Sequence, residues 1–322
     1  MPGYTHKLLS RYAENAFWMG RYIERIEATA RLLMTTEFFA SAQDGNSAWR
    51  ALLEVFAETE AFEASGRTVD AASVATHFIA RKDTMSSVVS CVRAVRENAR
   101  SLRHLISTEA WVQISEFYRD TEELARKRVA LSKLTQNCEA IRTACLAHYG
   151  IMEATCYRDE VWLFNRIGAA IERADQMTRL LDMQYFQIDA SDDEDEEAPP
   201  PPDVVWWNTL LRSAGGYHAF RRRHSFNPRA DEAAAFFVFD QDFPRSVASA
   251  VFEANSALAE LERDYGAKAG AAVTSARRAL TEIVGEPQTK LNGRALHRYM
   301  DSVQRDLNSL SNALADRYFP VT

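Results

Sequence analysis

The chain is poor in the residues that punctuate secondary structure. Its 322 residues include only 12 glycines and 9 prolines, and four of those prolines stand together at Pro199, Pro200, Pro201 and Pro202. A fold of many short strands needs Gly and Pro turns at close intervals, so this scarcity argues against a sheet-rich architecture. The four cysteines, Cys91, Cys138, Cys145 and Cys156, lack the paired spacing of a zinc site or a disulfide framework, which points to a reducing, cytoplasmic compartment. Residues Met1 to Lys7 lead into a charged amphipathic pattern with no signal-peptide core. No run reaches the roughly 18 apolar residues of a membrane span. Excess positive charge is missing too. The formal net charge is −7, and the eight acids between Asp189 and Asp203, with no base among them, outweigh that total. The remainder is near neutral, so neither a nucleic-acid nor a membrane partner is expected.

Familiar chemical motifs are absent as well. Gly215-Gly216 and the glycines at Gly266 and Gly270 lack the lysine and spacing of a phosphate loop. None of the seven histidines follows a Glu by three residues, the pairing a di-iron bundle requires. Cys145-x-x-His148 offers two ligands on one helix but no second pair. No metal and no cofactor are expected. The cysteines fall among apolar residues of helical patterns, where a thiol acts as a small hydrophobe rather than a nucleophile.

What is present is helical periodicity. A long first helix is predicted over Lys7–Ala40, with Met19, Tyr22, Ile23, Ile26, Ala30 and Leu33 on its apolar side. Further helices are predicted over Ser47–Ala64, Met85–Ile106, Glu109–Val129, Leu134–Tyr149 and Glu160–Gln187. Beyond residue 203 they are predicted over Trp206–Ala214, Tyr217–His224, Arg245–Asp264, Lys268–Val284 and Thr289–Tyr318. Phe236–Phe239 is the one strand-like run and serves equally as a helix end. Asp242-Phe243-Pro244-Arg245-Ser246 reads as a helix start capped by Asp242. The prediction is an all-α multi-helix bundle, one domain over residues 1–322, with the acidic, proline-ended stretch 189–203 inserted as an extended or disordered loop.

One internal repeat stands out. Gly20 to Leu33 aligns without a gap on Gly168 to Leu181, with seven of fourteen positions identical, where chance gives about one. On a helical wheel Gly20, Glu24, Glu27 and Arg31 form one stripe, and Gly168, Glu172, Asp175 and Arg179 its counterpart. The stripe falls opposite the main apolar face. Yet a glycine one turn before each glutamate costs about 1 kcal/mol relative to alanine, as if a backbone or ligand comes close. Three readings follow. Glu24, Arg25, Glu172 and Arg173 pair across the two helices and fix the register; or the stripes form a polar pocket for a zwitterionic or carboxylate ligand; or the charges are simply solvated. Glu97 and Arg100, with Arg93, Arg96 and Arg103 nearby, form a further acid–arginine element expected to pair with Glu24 or Glu172, or else to offer an anion site. The basic cluster Arg221-Arg222-Arg223-His224 reads as a solvated helix end.

These residues resemble the bacterial alpha-E proteins, an all-helical family with recurring Glu-Arg signatures. The resemblance is carried by Ser10 to Arg25, by Val95-Arg96-Glu97-Asn98-Ala99-Arg100 with Ser107 to Trp111, and by Ile171-Glu172-Arg173-Ala174-Asp175 with Thr178 to Leu181. Leu210 to Tyr217 and Asp242-Phe243-Pro244-Arg245-Ser246-Val247 extend it through the second half, which makes Arg245 a secondary candidate. The acidic stretch is longer than the family's usual connection. The resemblance implies association with a circularly permuted ATP-grasp protein and a transglutaminase-like protein in peptide or amide-bond synthesis and modification. On that basis the chain is expected to be an auxiliary component that binds a partner enzyme or a peptide or amino-acid substrate. Two alternatives stay open: an enzyme using paired Glu and Arg for acid–base or amide chemistry, and a purely structural scaffold.

Overall fold

The first helix, α1 (Ser10–Ala42), is buried on nearly every side, and the rest of the fold is arranged around it and its counterpart α8 (Glu160–Ile188). In this computed structural model, residues 8–42, 45–126, 129–188, 204–224, 228–285, 291 and 293–320 are described. Between α1 and α8 lie α2 (Gly45–Val55), α3 (Thr59–Ala64), α4 (Ala71–Ala80), α5 (Val88–Ser101), α6 (Thr108–Arg126) and α7 (Leu134–Thr155). After α8 come α9 (Val204–Ser213), α10 (Tyr217–Arg221), α11 (Ala230–Phe239), α12 (Val247–Tyr265), α13 (Gly270–Gly285) and α14 (Gly293–Tyr318). Among the described residues there is no strand, so the all-α prediction holds. The predicted loop 189–203 lies outside them.

The helix order repeats, and so does the packing. α5 and α7 cover α1, just as α12 and α14 cover α8. α6 bridges α5 and α7, and α13 bridges α12 and α14. The local chemistry repeats as well. Ser87 caps α5 by accepting from the Ser90 amide, and its hydroxyl donates to the Arg81 carbonyl. Ser246 caps α12 by accepting from the Ser249 amide, and its hydroxyl donates to the Asp240 carbonyl. Among the described residues the helices therefore form two units of seven, joined along α1 and α8. The second helix of each unit reaches the other: α2 packs on both α1 and α8, and α9 packs on α1.

Several local expectations are corrected. The predicted helix over Ser47–Ala64 is two helices, because Ala57 takes a left-handed conformation (φ 53°) and the Glu58 amide turns back to the Leu53 carbonyl. α4 has no counterpart among the predicted helices; it is short and apolar around most of its circumference, so it carries no amphipathic signal. Its start is set by Asp70, which accepts from the Ser73 amide at 2.9 Å. Phe236–Phe239 ends α11 rather than forming a strand. The cap of α12 is Ser246, not Asp242. Asp242 instead pairs with Arg223 at 2.6 Å, and Pro244 lies in the turn before the helix.

Candidate functional site

The two glycines of the repeat bring α1 and α8 into contact. A Cβ on Gly20 would land on the Asn165 carbonyl oxygen, and one on Gly168 would land on the Phe17 carbonyl oxygen. Backbone against backbone leaves no room for either, so the helices cross at their closest here. The crossing turns each charged stripe toward the opposite helix. Of the three readings, the solvated one is excluded: Glu24, Glu27 and Glu172 are at most 1 % exposed, and Arg31 and Asp175 are buried.

The pairing is reciprocal. Arg25 reaches from α1 to Glu172, with Nε at 2.6 Å from Oε1 and Nη2 at 3.1 Å from Oε2. Arg173 reaches from α8 to Glu24, with Nε at 2.7 Å from Oε1 and Nη2 on the same oxygen. One turn further on, Arg31 holds Glu27 (2.6 Å) and donates to the Ser213 carbonyl, while Arg179 holds Asp175 (2.9 Å) and donates to the Val55 carbonyl (2.8 Å). Those two carbonyls end α9 and α2, so each arginine satisfies the terminus of the helix borrowed from the other unit. All eight primary candidates therefore lie at this crossing in adjoining ion-pair groups, Arg25 with Glu172, Arg173 with Glu24, Arg31 with Glu27 and Arg179 with Asp175, the acids and Arg31 buried and the other three arginines half-buried.

The two ends of the network are chemically different. Around Glu172, Arg21 donates to Oε2 at 2.7 Å and Gln176 to Oε1 at 3.0 Å, and Arg21 also holds Ser311 at 2.9 Å. Burial pushes the Glu172 carboxyl up, but Arg25 and Arg21 outweigh it and hold the group far below the usual carboxylate range. Around Glu24 and Glu27 the arrangement is looser. Arg245, the secondary candidate from the second half, brings Nη1 to 3.0 Å from Glu27 Oε2 and 3.8 Å from Glu24 Oε2. Arg142 stands 3.7 Å from Glu27 Oε1. Arg173 also holds Glu253 at 2.7 Å, which Arg166 approaches at 3.3 Å. Beside them lies a cavity of about 20 Å3 walled by Ala28, Leu32, Met177 and Leu180, room for about one water.

Arg21, Arg142, Gln176 and Glu253 belong to this network but did not stand out in the sequence. Arg21 faces Ala169 in the repeat alignment, so the identity pattern passes over it, and the others lie on helices or positions without a repeated signature. Glu97 and Arg100 do not join it. They pair with each other at 2.6 Å on an exposed face of α5, because the side of α5 that meets α1 is the apolar one.

The remaining candidates resolve as follows. Burial pushes the thiols of Cys91 and Cys138 up to about 12 and holds that of Cys145 well above its ordinary range, a poor state for a nucleophile. Cys156 ends α7 instead of lying inside it. Burial drives His148 down to about 4, and its Nδ1 faces Gln113 Oε1 at 3.3 Å. Against the expectation of no metal-ligating set, α8 and α14 bring Asp182, His297 and Asp301 within ligating reach of one another. His297 Nδ1 lies 3.2 Å from Asp182, and Nε2 lies 3.6 Å from Asp301. His297 and Asp301 stand one turn apart on α14, but Asp182 comes from α8, so local spacing shows only two of the three.

A family model named Alpha-E, described as a predicted alpha-helical domain with a conserved ER motif, matches residues 8–319. The Glu24-Arg25 and Glu172-Arg173 dipeptides at the helix crossing are Glu-Arg steps of the kind that description names. No curated protein and no solved structure matches the chain.

Proposed function

Since the chain belongs to the Alpha-E family, we propose that it is a binding component, rather than the catalyst, of a peptide or amide-bond modification system. Its partners in this reading are a circularly permuted ATP-grasp protein and a transglutaminase-like protein, and it docks one of them or presents a peptide substrate. The observation that carries the reading is the closure of the Glu-Arg signatures on one another. Glu172 is wholly buried and has Arg21, Arg25 and Gln176 on its two oxygens. A general acid or base needs a pKa near the working pH and access to the reacting proton, and this carboxylate has neither. The signatures then serve to hold the two units in register. Docking falls to surfaces built on that frame. The four free thiols support a cytoplasmic location.

The test is reconstitution with the neighbouring ATP-grasp protein. Co-purification, together with faster peptide-dependent ATP turnover when this chain is added, is the expected result. Turnover of ATP and peptide by this chain alone would overturn the proposal, as would neither binding nor rate enhancement with the partner. No helix among the described residues is long and apolar enough to cross a membrane.

A further inference from the structure

The surplus of arginine around Glu27 opens onto a surface groove of about 840 Å3 between α1, α7 and α9. We propose that this groove binds a carboxylate-bearing peptide, with Arg142 as its anchoring cation. The inference rests on the reading that the protein binds a peptide or partner, and it supplies the ligand chemistry.

Charge is the first argument. The single carboxylate of Glu27 faces three guanidiniums, those of Arg31, Arg142 and Arg245. The groove presents Arg31, Arg142 and Arg212 against one carboxylate, Glu37, which already accepts from Thr135 at 2.6 Å. This cationic floor belongs to a chain whose formal net charge is −7. Its electrostatic mark is on Arg31. Burial draws that guanidinium down to about 10; Glu27 opposes the shift, while Arg245 and Arg142 add to it.

An unmet hydrogen bond is the second argument. Arg142 Nε is buried and has no hydrogen-bond partner among the described residues, since Glu27 stands 3.7 Å away. A buried donor without an acceptor costs about 1–3 kcal/mol. The side chain as a whole keeps 25 % of its surface exposed, so an incoming carboxylate meets Arg142 from the groove side as a second counter-charge to the one Glu27 supplies from within. The groove walls fit a peptide rather than a lone anion. Phe38 and Val205 are 49 % and 58 % exposed at its sides, and Asn208 and Thr209 offer polar contacts between them.

The other unit supplies the third argument. Met34 lines the groove, and its counterpart in the repeat is Asp182, which faces His297 and Asp301. The position that is neutral on the first side carries an acid on the second. Only the first side therefore suits an anionic guest.

The test is fluorescence anisotropy of fluorescein-labelled hexaglutamate titrated with the full chain, with hexaglutamine as the control peptide. A parallel titration uses a chain whose eight acids in 189–203 are replaced by Asn and Gln, since they would compete for the same arginines. Saturable binding of hexaglutamate to either chain, weakened by salt and absent for hexaglutamine, is expected. Arg142→Gln should weaken it by about tenfold or more. Arg212→Gln, at an exposed position whose guanidinium stacks on Tyr217, should weaken it by about threefold. No saturable binding to either chain would overturn the proposal, as would equal affinity in both variants and the parent. Partner co-purification is read separately. A chain that binds its partner but not hexaglutamate loses only the groove assignment, whereas one that binds hexaglutamate through Arg142 but no partner loses only the wider reading.

Discussion

The Glu172 end of the buried network and the Glu24–Glu27 end descend from one repeated pattern, yet only the first is chemically finished. Glu172 has a donor on every side, and Arg21 and Arg25 have no other carboxylate among their hydrogen bonds in the described residues. At the other end Arg173 divides itself between Glu24 and Glu253, Glu27 is shared by three arginines, and a small cavity remains. Duplication explains what the ends have in common: the glycine crossing, the exchanged ion pairs and the arginine on a borrowed helix end. The contrast lies in the residues that differ. Arg21 stands where the second copy has Ala169, and Arg245 comes in from the turn before α12. The shared part holds the fold, and the part that differs is where binding chemistry is to be sought.

The glycines give the largest expected effect. Gly20→Ala and Gly168→Ala each place a methyl against a carbonyl oxygen of the facing helix. Each should destabilise the fold by about 3 kcal/mol or more, measured by urea unfolding, and the two should cost about equally if the crossing is symmetric. A tolerated Gly20→Ala beside a destructive Gly168→Ala would break the symmetry at its root.

The glutamates come next and should behave unequally. Glu172→Ala strands two buried guanidiniums and should cost about 3–5 kcal/mol. Glu24→Ala leaves Arg173 with Glu253 and should cost about 2 kcal/mol. Equal losses in urea unfolding would mean that the looser end contributes as much to stability as the closed one.

Helix class was legible because breakers are scarce and apolar positions recur at helical spacing. The pairing of Glu24, Arg25, Glu172 and Arg173 was legible from the repeat. The placement of the stripe was not, because a helical wheel cannot distinguish a charged face turned to water from one turned to an equally charged helix. Gly20 and Gly168 held that information, since their cost in a helix makes sense only if something lies against them. The wider repeat is faint in the sequence because outside α1 and α8 it survives mainly as one short match, Ser87-Val88-x-Ser90-x-Val92 against Ser246-Val247-x-Ser249-x-Val251. Arg142 and Asp182 were hidden for a related reason: the groups they face, Glu27 and His297, come from helices remote in sequence.

The second unit carries a pH dependence that the first lacks at the equivalent place. Asp182 replaces Met34 in the repeat, and burial pushes its carboxyl up from 3.8 to about 6 against the opposing pull of His297. The other groups facing it are Asp301, Arg179 and Gln304. An acid with a raised folded pKa binds its proton more tightly in the folded chain. Its stabilising contribution is therefore full below about pH 4 and is lost as pH rises through about 6, an effect on the order of 2 kcal/mol. Asp182→Asn should remove that slope between pH 4 and 6 in urea unfolding and leave the variant no less stable at pH 7. A variant that loses stability at pH 7 instead would show the carboxylate bound to a cation there, His297 or a metal.

The smallest expected effect belongs to the caps, where the two units are most alike. Ser87→Ala and Ser246→Ala each remove an acceptor for a first-turn amide and a donor to a carbonyl six residues back. Both serines are wholly buried, so water does not replace the lost bonds. Each change should cost about 1–2 kcal/mol, at the upper end of the range for helix caps. The comparison becomes sharper if Ser246→Ala also disturbs hexaglutamate binding while Ser87→Ala does not. Arg245 immediately precedes Ser246, and a frayed α12 would loosen its hold on Glu27. Glu27 would then be drawn more fully to Arg31 and Arg142, and the cationic floor of the groove would weaken. The residue preceding Ser87 is Ser86, which carries no charge and donates to Glu58 instead. Equal effects on binding from the two serines would mean that the groove is indifferent to Arg245, and the asymmetry between the two ends would then lie in Arg142 alone.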